Sequence, residues 1–287
     1  MNQFPVSLIV AVYNRADALR LVFTAIAGQT VPPLQVLVAD DGSSGAIAEE
    51  VLLAHEELGL NITHVRHDDR GWRKNRILNT AVRAADADYL VFIDGDCVPH
   101  RRFIEDHVSA ASPGRVVCGR RVELSPAWTK RITQQRVLSG AYQRIGPAEI
   151  VDGLRGRAIR VEEGIRFSAP FLLRLAHGRR RGMLGSNFSL HKRDLEAING
   201  FDEAYDGPGC GEDSDVEYRL GLAGVVPYLL RHKAIQYHLW HPRTKMSESS
   251  LRRFEAVKLR GQVFCDEGLR GPASAARPPR NMAGQST

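Results

Sequence analysis

The chain has 287 residues, of which 43% are hydrophobic and 25% charged, enough for one large α/β domain or two small ones with a real core. Its four cysteines form no CxxC pair, which argues against zinc or redox motifs and a disulfide framework and fits a reducing cytoplasm. A net charge of +6 is mild for a nucleic-acid-binding protein, and neither a membrane span nor a signal peptide is recognisable, so none of these is expected.

The first hundred residues alternate between strand and helix patterns. Residues 6–13 (VSLIVAVY) are apolar and β-branched, which predicts a strand buried on both faces. Further strands are predicted at 34–44, 61–67 and 88–96, and the last helix before the fourth strand is predicted at 73–85. Strands alternating with helices indicate βαβ units and therefore a parallel, doubly wound sheet.

The second half of the chain is less regular. Residues 116–124 (VVCGRRVEL) predict another strand, and the Arg-rich stretch that follows, up to about residue 181, predicts helices and loops over one edge. Later patterns predict a turn, strand and helix at 181–203, a helix at 213–224 and one or two strands at 226–242. Apolar residues from Leu251 to Phe264 predict a final amphipathic helix, and the Pro- and Gly-rich residues 268–287 predict disorder.

Polar side chains follow three of the predicted strands. They are Tyr13-Asn14-Arg15, Asp40-Asp41 with Gly42-Ser43-Ser44, and Asp94-Gly95-Asp96. Ligands bind at the carboxyl ends of parallel strands in doubly wound sheets. Any one cluster could be only a turn or a helix cap. Three clusters at the same edge favour a binding site.

Asp94 and Asp96 are two residues apart on an extended chain, so their side chains point the same way. Like charges at this separation repel each other unless a cation lies beside them. Oxygen ligands in an open site suit Mg²⁺ or Mn²⁺. The alternative is a solvated pair of carboxylates in a turn, but the apolar strand before them favours the metal site.

The ordered set of motifs resembles the GT-A glycosyltransferases of family 2. The matching segments are VSLIVAVYNR, VLVADDGSS, RGWRKNRILN, NTAVRAADADYLVFIDGD, GSNFSLHKRDLEAINGFDE, GCGEDSDVEYRL and YHLWHP, and they cover about residues 5–245. Within the family the chain is most similar to bacterial chondroitin-polymerase-type domains. Its C-terminal part resembles β-1,4-galactosyltransferases and polypeptide GalNAc-transferases.

The resemblance implies a GT-A fold, with a doubly wound, mainly parallel, Rossmann-like sheet and a smaller C-terminal acceptor-binding part. A single domain is expected over residues 1–267, followed by the disordered tail 268–287. Its expected parts are a nucleotide-sugar-binding half (1–124), a variable basic helical insert (125–180), an acceptor and catalytic half (181–246) and a C-terminal helix (247–267).

The same resemblance assigns donor-binding and metal-binding roles. The nucleotide-sugar-binding residues would be Ala11, Tyr13, Asn14, Arg15, Asp41, Lys74, Asn79, Asp94 and Gly95. Asp41 would hydrogen-bond the base. Leu78 stands where the family usually has Arg, so Lys74 or Arg76 would replace that contact. Asp96 and His238 would hold Mn²⁺ or Mg²⁺, with His241 as the competing ligand. Without the resemblance, a strand histidine satisfied in the core is the preferred interpretation of His238.

On the acceptor side, the resemblance makes Asp213 the catalytic base and gives acceptor binding to Glu212, Ser186, Asn187 and Trp240. The GEDSD segment also fits a helix N-terminus, where acidic residues are favourable. Relatives often carry Trp two residues before the Gly of this motif, but this chain has Gly209 there. Tyr205 or Trp240 would then supply the surface on which a sugar stacks.

The expected function is metal-dependent transfer of a sugar from a nucleoside-diphosphate sugar, preferably a UDP-sugar, to a glycan or lipid-linked acceptor. Inversion is favoured, and a role in bacterial-type surface polysaccharide or glycoconjugate synthesis is implied. One alternative is a nucleotidyltransferase. Such enzymes usually carry a Gly-rich, basic loop after the first strand, but this chain has YNRADALR there. Another alternative is a non-catalytic nucleotide-sugar-binding module. HGRRRG (177–182) and the Arg-rich region before it suggest peripheral contact at the inner face of a membrane, although a solvated loop is the simpler interpretation.

Overall fold

The structure, a computed structural model, describes residues 4–167, 182–242 and 244–270. In chain order the strands are β1 (Val6–Val12), β2 (Gln35–Asp40), β3 (Ile62–Arg66), β4 (Tyr89–Asp94), β5 (Cys97–Pro99), β6 (Arg115–Cys118), β7 (Arg120–Glu123), β8 (Asn187–His191), β9 (Val226–Leu229) and β10 (Ile235–His238). The α-helices are α1 (Ala16–Ala27), α2 (Ala46–Leu58), α3 (Lys74–Arg83), α4 (Phe103–Ala110), α5 (Pro126–Arg131), α6 (Gln134–Leu138), α7 (Pro147–Leu154), α8 (Lys192–Ala197), α9 (Ser214–Leu222) and α10 (Glu248–Arg260).

The strands form two sheets. Seven lie in the order β3-β2-β1-β4-β8-β6-β9, and three lie in the order β5-β10-β7. In the larger sheet the β1, β2, β3 and β4 pairings are parallel, β8 is antiparallel to both β4 and β6, and β9 is parallel to β6. The expected doubly wound, mainly parallel α/β fold is confirmed.

Helices cover both faces of the larger sheet, which explains why its central strands are apolar throughout. Alternate residues of β1 enter different cores: Leu8 packs in the same core as Phe23 of α1, whereas Ile9 packs in the other with Ile77 of α3. Full burial of such a side chain stabilises the fold by about 1.5–3 kcal/mol. The register pairs Ala11 with Asp94, so the polar residues after β1 and β4 meet at one edge.

The strand predicted over 116–124 is two strands, because the chain changes sheet at Gly119. A Cβ atom on Gly119 would lie 2.1 Å from Oδ1 of Asn187, so only glycine fits at this crossing. Strand β7 therefore joins the smaller sheet, in which β10 lies between β5 and β7. This sheet pairs His238 with Cys97, and so places His238 next to Asp96.

Several predicted regions reach beyond the described residues. Residues 168–181 and 271–287 lie outside them, and with them most of the HGRRRG run and most of the tail expected to be disordered. Helix α10 ends at Arg260, before the expected bound of 267, and Gly261 follows with φ 58°, as is common after a helix. Every helix in the described ranges is too short or too polar to cross a bilayer.

Candidate active site

A cavity of about 970 Å³ opens where the carboxyl ends of β1, β2 and β4 meet the smaller sheet. Many of the residues expected to bind donor, metal or acceptor line it together: Ala11, Tyr13, Arg15, Asp41, Lys74, Asp94, Gly95, Asp96, Glu212, His238 and the competing His241. They come from the two sheets, from α3 and from the segment before α9. The fold thus gathers side chains that are up to 230 positions apart in the chain, from 11 to 241.

Asp40, the last residue of β2, and the next residue, Asp41, differ in their surroundings and partners. Asp40 is fully buried and accepts hydrogen bonds from the Ser43 backbone N–H and from His64, so it shapes the turn. Asp41 lines the cavity, where the Arg73 N–H donates to it at 3.1 Å and His67 Nε2 lies 2.7 Å away. Burial raises the pKa of Asp41, although these two contacts oppose the rise.

Gly95 forms part of the cavity floor between the two carboxylates. Its N–H donates to the Ala11 carbonyl at 2.7 Å, and a Cβ atom there would lie 3.1 Å from Val12 Cγ2. A larger residue would therefore push against β1. The glycine keeps the ends of β1 and β4 close together below the ligand space.

Lys74 links Asp94 and Glu212 across the cavity. Its Nζ lies 2.9 Å from Oδ1 of Asp94 and 3.4 Å from Oε1 of Glu212. Burial alone would lower the pKa of Lys74, but the two carboxylates outweigh it and raise that pKa, so the ammonium is charged. Burial also raises the pKa of Glu212. The second oxygen of Glu212, Oε2, is buried and has no hydrogen-bond partner among the described residues.

Asp96 lies against two histidines. Its Oδ1 is 3.6 Å from His238 Nε2, its Oδ2 is 3.3 Å from His241 Nε2, and the two Nε2 atoms are 3.2 Å apart. Burial raises the pKa of Asp96, but the contact with His238 and the charges of His238, His241 and Arg15 lower it to about 2. One carboxylate and two imidazoles converging in this way fit a divalent cation such as Mn²⁺.

Cys97 also brings its thiol close to Asp96 and His238, within 4.8 Å. Burial raises the pKa of this thiol well above its usual value. The hard cations Mg²⁺ and Mn²⁺ prefer oxygen ligands to the soft sulfur of a cysteine. The oxygen and nitrogen atoms of Asp96, His238 and His241 are the better donor set.

Asp213 lies at the start of α9. Its Oδ1 accepts hydrogen bonds from the Ser214 N–H and hydroxyl, so it caps the helix. It is partly buried but is not among the residues that line the cavity, whereas the preceding Glu212 is. The structure shows the helix-cap role of Asp213, and its catalytic role stays a prediction.

Three expected ligand-binding asparagines are instead committed to the fold. Asn79 is fully buried: its Nδ2 donates to the Phe201 carbonyl, and its Oδ1 accepts from the Phe201 N–H. Asn187 is fully buried as well: its Nδ2 donates to the Arg120 and Ala234 carbonyls, and its Oδ1 faces a histidine ring. Asn14, at φ 51°, holds the neighbouring loop through Ser43 and Ser44. None of the three lines the cavity.

The expected acceptor platforms are also placed elsewhere. Tyr205 is buried and its hydroxyl donates to Asp215, so it has no face for a sugar. Trp240 is about half exposed but does not line the cavity. Ser186 is buried behind the wall, where its hydroxyl accepts from Arg121 at 3.1 Å. The segments that the likeness of local sequence indicates reach the cavity in part, but these side chains do not line it.

Several cavity residues have no expected role from the sequence: Trp72, Arg121, Glu123, Arg160 and Thr244 line the wall, and His67 supports Asp41. A signal existed for three of them. Arg121 and Glu123 alternate with buried residues along β7, so strand periodicity puts both on one face. His67 directly follows β3, at the same sheet edge as the polar clusters.

A mainly parallel α/β sheet with a cavity at the carboxyl ends of its strands is the architecture of the GT-A glycosyltransferases. The sequence profile of "Glycosyl transferase family 2" matches residues 7–171, and the chain belongs to this glycosyltransferase family. It is 30% identical over 224 residues to the chondroitin synthase of Escherichia coli, which covers 76% of this chain. The chain spans only about a third (32%) of that longer protein.

Solved structures confirm the fold. A mannosyltransferase from Pyrobaculum calidifontis, solved with GDP-Man and Mn²⁺, matches with a TM-score of 0.56 at 20% identity, covering 90% of this chain and 63% of its own. S. aureus TarS residues 1–349, solved with UDP, matches with a TM-score of 0.57 at 14% identity, covering 93% and 68%. At these identities the likeness concerns the GT-A fold alone.

Proposed function

We propose that this chain is a metal-dependent glycosyltransferase that moves a sugar from a UDP-sugar to a hydroxyl group of a glycan or glycolipid, with inversion at the anomeric carbon. The observation that carries the proposal is the convergence of Asp41, Asp94, Asp96 and Glu212 on one cavity, with two histidines against Asp96. The similarity to a chondroitin synthase supports a role in the synthesis of a surface polysaccharide or glycoconjugate.

The donor occupies the side of the cavity formed by β1, β2 and β4. The volume of the cavity, about 970 Å³, suits a nucleotide sugar, since small-molecule sites span roughly 300–1,000 Å³. Asp41 accepts a hydrogen bond from the base N–H, which suits uracil. Asp94, held by Lys74, contacts the ribose or the sugar. Gly95 lets the donor approach the strand ends closely.

Asp96, with His238 and His241, would hold the divalent cation. A bound cation neutralises the negative charge that develops on the leaving diphosphate. Arg15 Nη1 lies 3.8 Å from Oδ2 of Asp96, and this guanidinium reaches phosphate oxygens from the β1 side. Arg121, on the opposite wall, adds a second positive charge to the same space.

The acceptor enters beside Glu212 and Asp213. Asp213 takes the proton from the attacking hydroxyl while that oxygen bonds to the anomeric carbon and the nucleoside diphosphate departs with its bonding electrons. Glu212, whose Oε2 is buried without a partner among the described residues, accepts a hydrogen bond from the acceptor sugar. The departing diphosphate and the attacking hydroxyl lie on opposite faces of the sugar, so one displacement inverts its configuration.

The test is donor hydrolysis and transfer with UDP-, GDP- and dTDP-sugars, with Mn²⁺ and with a chelator. We expect a UDP-sugar to be preferred and the chelator to abolish turnover. Asp213→Asn should lower kcat about 100-fold or more, whereas Glu212→Gln should mainly raise the acceptor KM. Full activity of Asp213→Asn would refute the base assignment, and product of retained anomeric configuration by NMR would refute inversion.

We also propose that the protein works on the cytoplasmic side and touches the inner face of a membrane, where lipid-linked acceptors are found. The described residues of the insert carry an excess of basic over acidic side chains, which supports attraction to anionic lipid. The cluster Arg179-Arg180-Arg181 lies outside the described residues. Retention of vesicle binding after its replacement by Ala would show that this cluster is not the contact.

A further inference from the structure

Helix α7, in the insert, buries its acidic side chains and exposes its apolar ones. Its buried residues are the two acidic ones, Glu149 and Asp152, while Ile150, Val151 and Leu154 on its other side are exposed. Leu154 is 83% exposed and Ile150 is 50% exposed. A surface helix of a globular protein normally buries its apolar stripe and exposes its charges. Residues 150 and 154 lie one turn apart and are neighbours on the helix surface. This orientation therefore leaves a continuous apolar face exposed to solvent.

The reversed orientation is fixed by specific contacts. Glu149 pairs with Arg131 of α5 at 2.7 Å and also caps the helix start through the Gly146 N–H. Asp152 pairs with Arg157 at 2.7 Å and accepts a hydrogen bond from Ser125 at 2.5 Å. Turning the apolar side inward would break these contacts with Arg131, Gly146, Arg157 and Ser125.

Close packing on the inner side reinforces this orientation. A Cβ atom on Gly153 would lie 2.8 Å from Val161 Cγ2, so the helix backbone rests directly on the 3₁₀ turn Val161–Gly164. No larger side chain fits between them. Because the inner face is filled and its charges are paired, the outward apolar face belongs to the native fold and is not a loosely packed helix end.

The surroundings of this face are basic. A groove of about 420 Å³ between α5 and α7 has apolar walls from Pro126, Ala127, Ala148 and Val151, with Arg131 and Arg157 beside them.

Three more cations, Lys130, Arg144 and Arg155, are exposed near α5 and α7. Within residues 4–167, 182–242 and 244–270, none of these three has a carboxylate partner in an ion pair. Apolar side chains surrounded by unpaired cations match the chemistry of an anionic membrane surface.

We propose that the exposed face of α7, together with Lys130, Arg144 and Arg155, docks this enzyme on an anionic lipid bilayer. The apolar side chains enter the headgroup region and the cations contact lipid phosphates. A second copy of the chain fits less well, because a helix of eight residues is only about 12 Å long. A stable dimer needs about 800 Å² from each partner, far more than this face offers.

Docking here would also orient the active site. Ile159 and Arg160, which follow α7 in the chain, line the main cavity, and Ile159 is tied to Glu123 of β7 by backbone hydrogen bonds in both directions. The docking face and the rim of the cavity are thus parts of one continuous segment. A membrane-bound enzyme would open its cavity close to the bilayer, as a lipid-linked acceptor requires; this last point rests on the proposed function, but the docking surface does not.

The experiment is co-sedimentation of the full chain with vesicles of phosphatidylcholine alone and of phosphatidylcholine with phosphatidylglycerol. We expect binding to the anionic vesicles, weakened by salt. The double variant Ile150→Ser/Leu154→Ser should lower the partition coefficient by about tenfold or more. Arg144→Ser/Arg155→Ser should lower it on anionic vesicles only. Leu259→Ser is the matched control, because this α10 side chain is 88% exposed and lies outside the face; its binding should be unchanged.

Two further measurements separate the outcomes. Donor hydrolysis by Ile150→Ser/Leu154→Ser in vesicle-free solution should equal that of the wild type, which distinguishes lost docking from a lost active site. Light scattering of wild type and variant should give the same mass. The proposal is overturned if the wild type ignores anionic vesicles, if the double variant binds them as the wild type does, or if the variant turns a dimer into a monomer.

Discussion

Replacing Lys74 by Met tests whether one buried ammonium holds the donor and acceptor sides of the site together. Methionine keeps most of the length of the side chain but removes the charge that lies 2.9 Å from Asp94 and 3.4 Å from Glu212. Removing one partner of a fully buried ion pair costs about 3–5 kcal/mol. The Lys74, Asp94 and Glu212 side chains are 14%, 24% and 16% exposed, so water in the cavity reduces the cost, and we expect about 2–4 kcal/mol.

The loss should depend on pH, because Glu212 can take up a proton. Its pKa is raised by burial in the folded protein, and Lys74 opposes the rise; without Lys74 the pKa rises further. A carboxylate with a raised folded pKa binds more protons in the folded state than in the unfolded one. Stability then falls as pH rises from the unfolded pKa, about 4.3, through the folded pKa. The Met variant should therefore lose more stability at about pH 8 than at about pH 5.

The assay is urea unfolding of wild type, Lys74→Met and Lys74→Arg at both pH values. The Arg variant keeps the charge and should lose less than the Met variant. Adding Glu212→Gln to Lys74→Met should recover part of the loss, since the uncompensated charge is then gone. Equal destabilisation by Met and Arg, or a Met loss that does not change with pH, would refute the idea that charge compensation is the main role of Lys74.

Two further predictions concern residues that hold the site from behind. Asn187→Ala should cost about 3 kcal/mol by urea unfolding, because it removes hydrogen bonds to the Arg120 and Ala234 carbonyls and to the ring of His107. A raised acceptor KM at unchanged stability would instead support an acceptor role for Asn187. Gly119→Ala should cost at least about 2 kcal/mol, because its Cβ would meet Asn187. Gly221→Ala, on α9 with open space around it, is the control and should be neutral or stabilising by up to about 1 kcal/mol.

The sheet and its functional edge were predictable because both follow from short-range patterns. The apolar strands β1, β2 and β4 end in polar residues, and the rule for parallel sheets places those ends together. That reasoning brought Asp41, Asp94 and Asp96 to one cavity, where the structure has them. Motif likeness added Glu212 and His238, which no local pattern would have placed there.

The direction of individual side chains was not predictable, because it depends on distant partners. Asn79 and Asn187 were expected at the ligand, but their amides satisfy buried backbone groups of segments more than 40 residues away in the chain. The break at Gly119 was missed for the same reason: the residue that forces it, Asn187, comes much later in the sequence. Buried polar groups find partners wherever the fold supplies them, and a linear pattern does not show where that is.

The change of sheet between β4 and β5 explains how the motif Asp94-Gly95-Asp96 comes to face both sheets. Asp94 ends β4 in the larger sheet, but Cys97, three residues later, already belongs to the smaller one. Asp96 therefore stands at the junction of the two sheets. The larger sheet supplies Asp41 and Asp94 for the proposed donor, and the smaller sheet supplies His238 and Arg121 on the facing wall. Because β10 is held between β5 and β7, any change that pulls the smaller sheet away from Asp96 should weaken the proposed metal and phosphate binding while leaving the contacts of Asp41 intact.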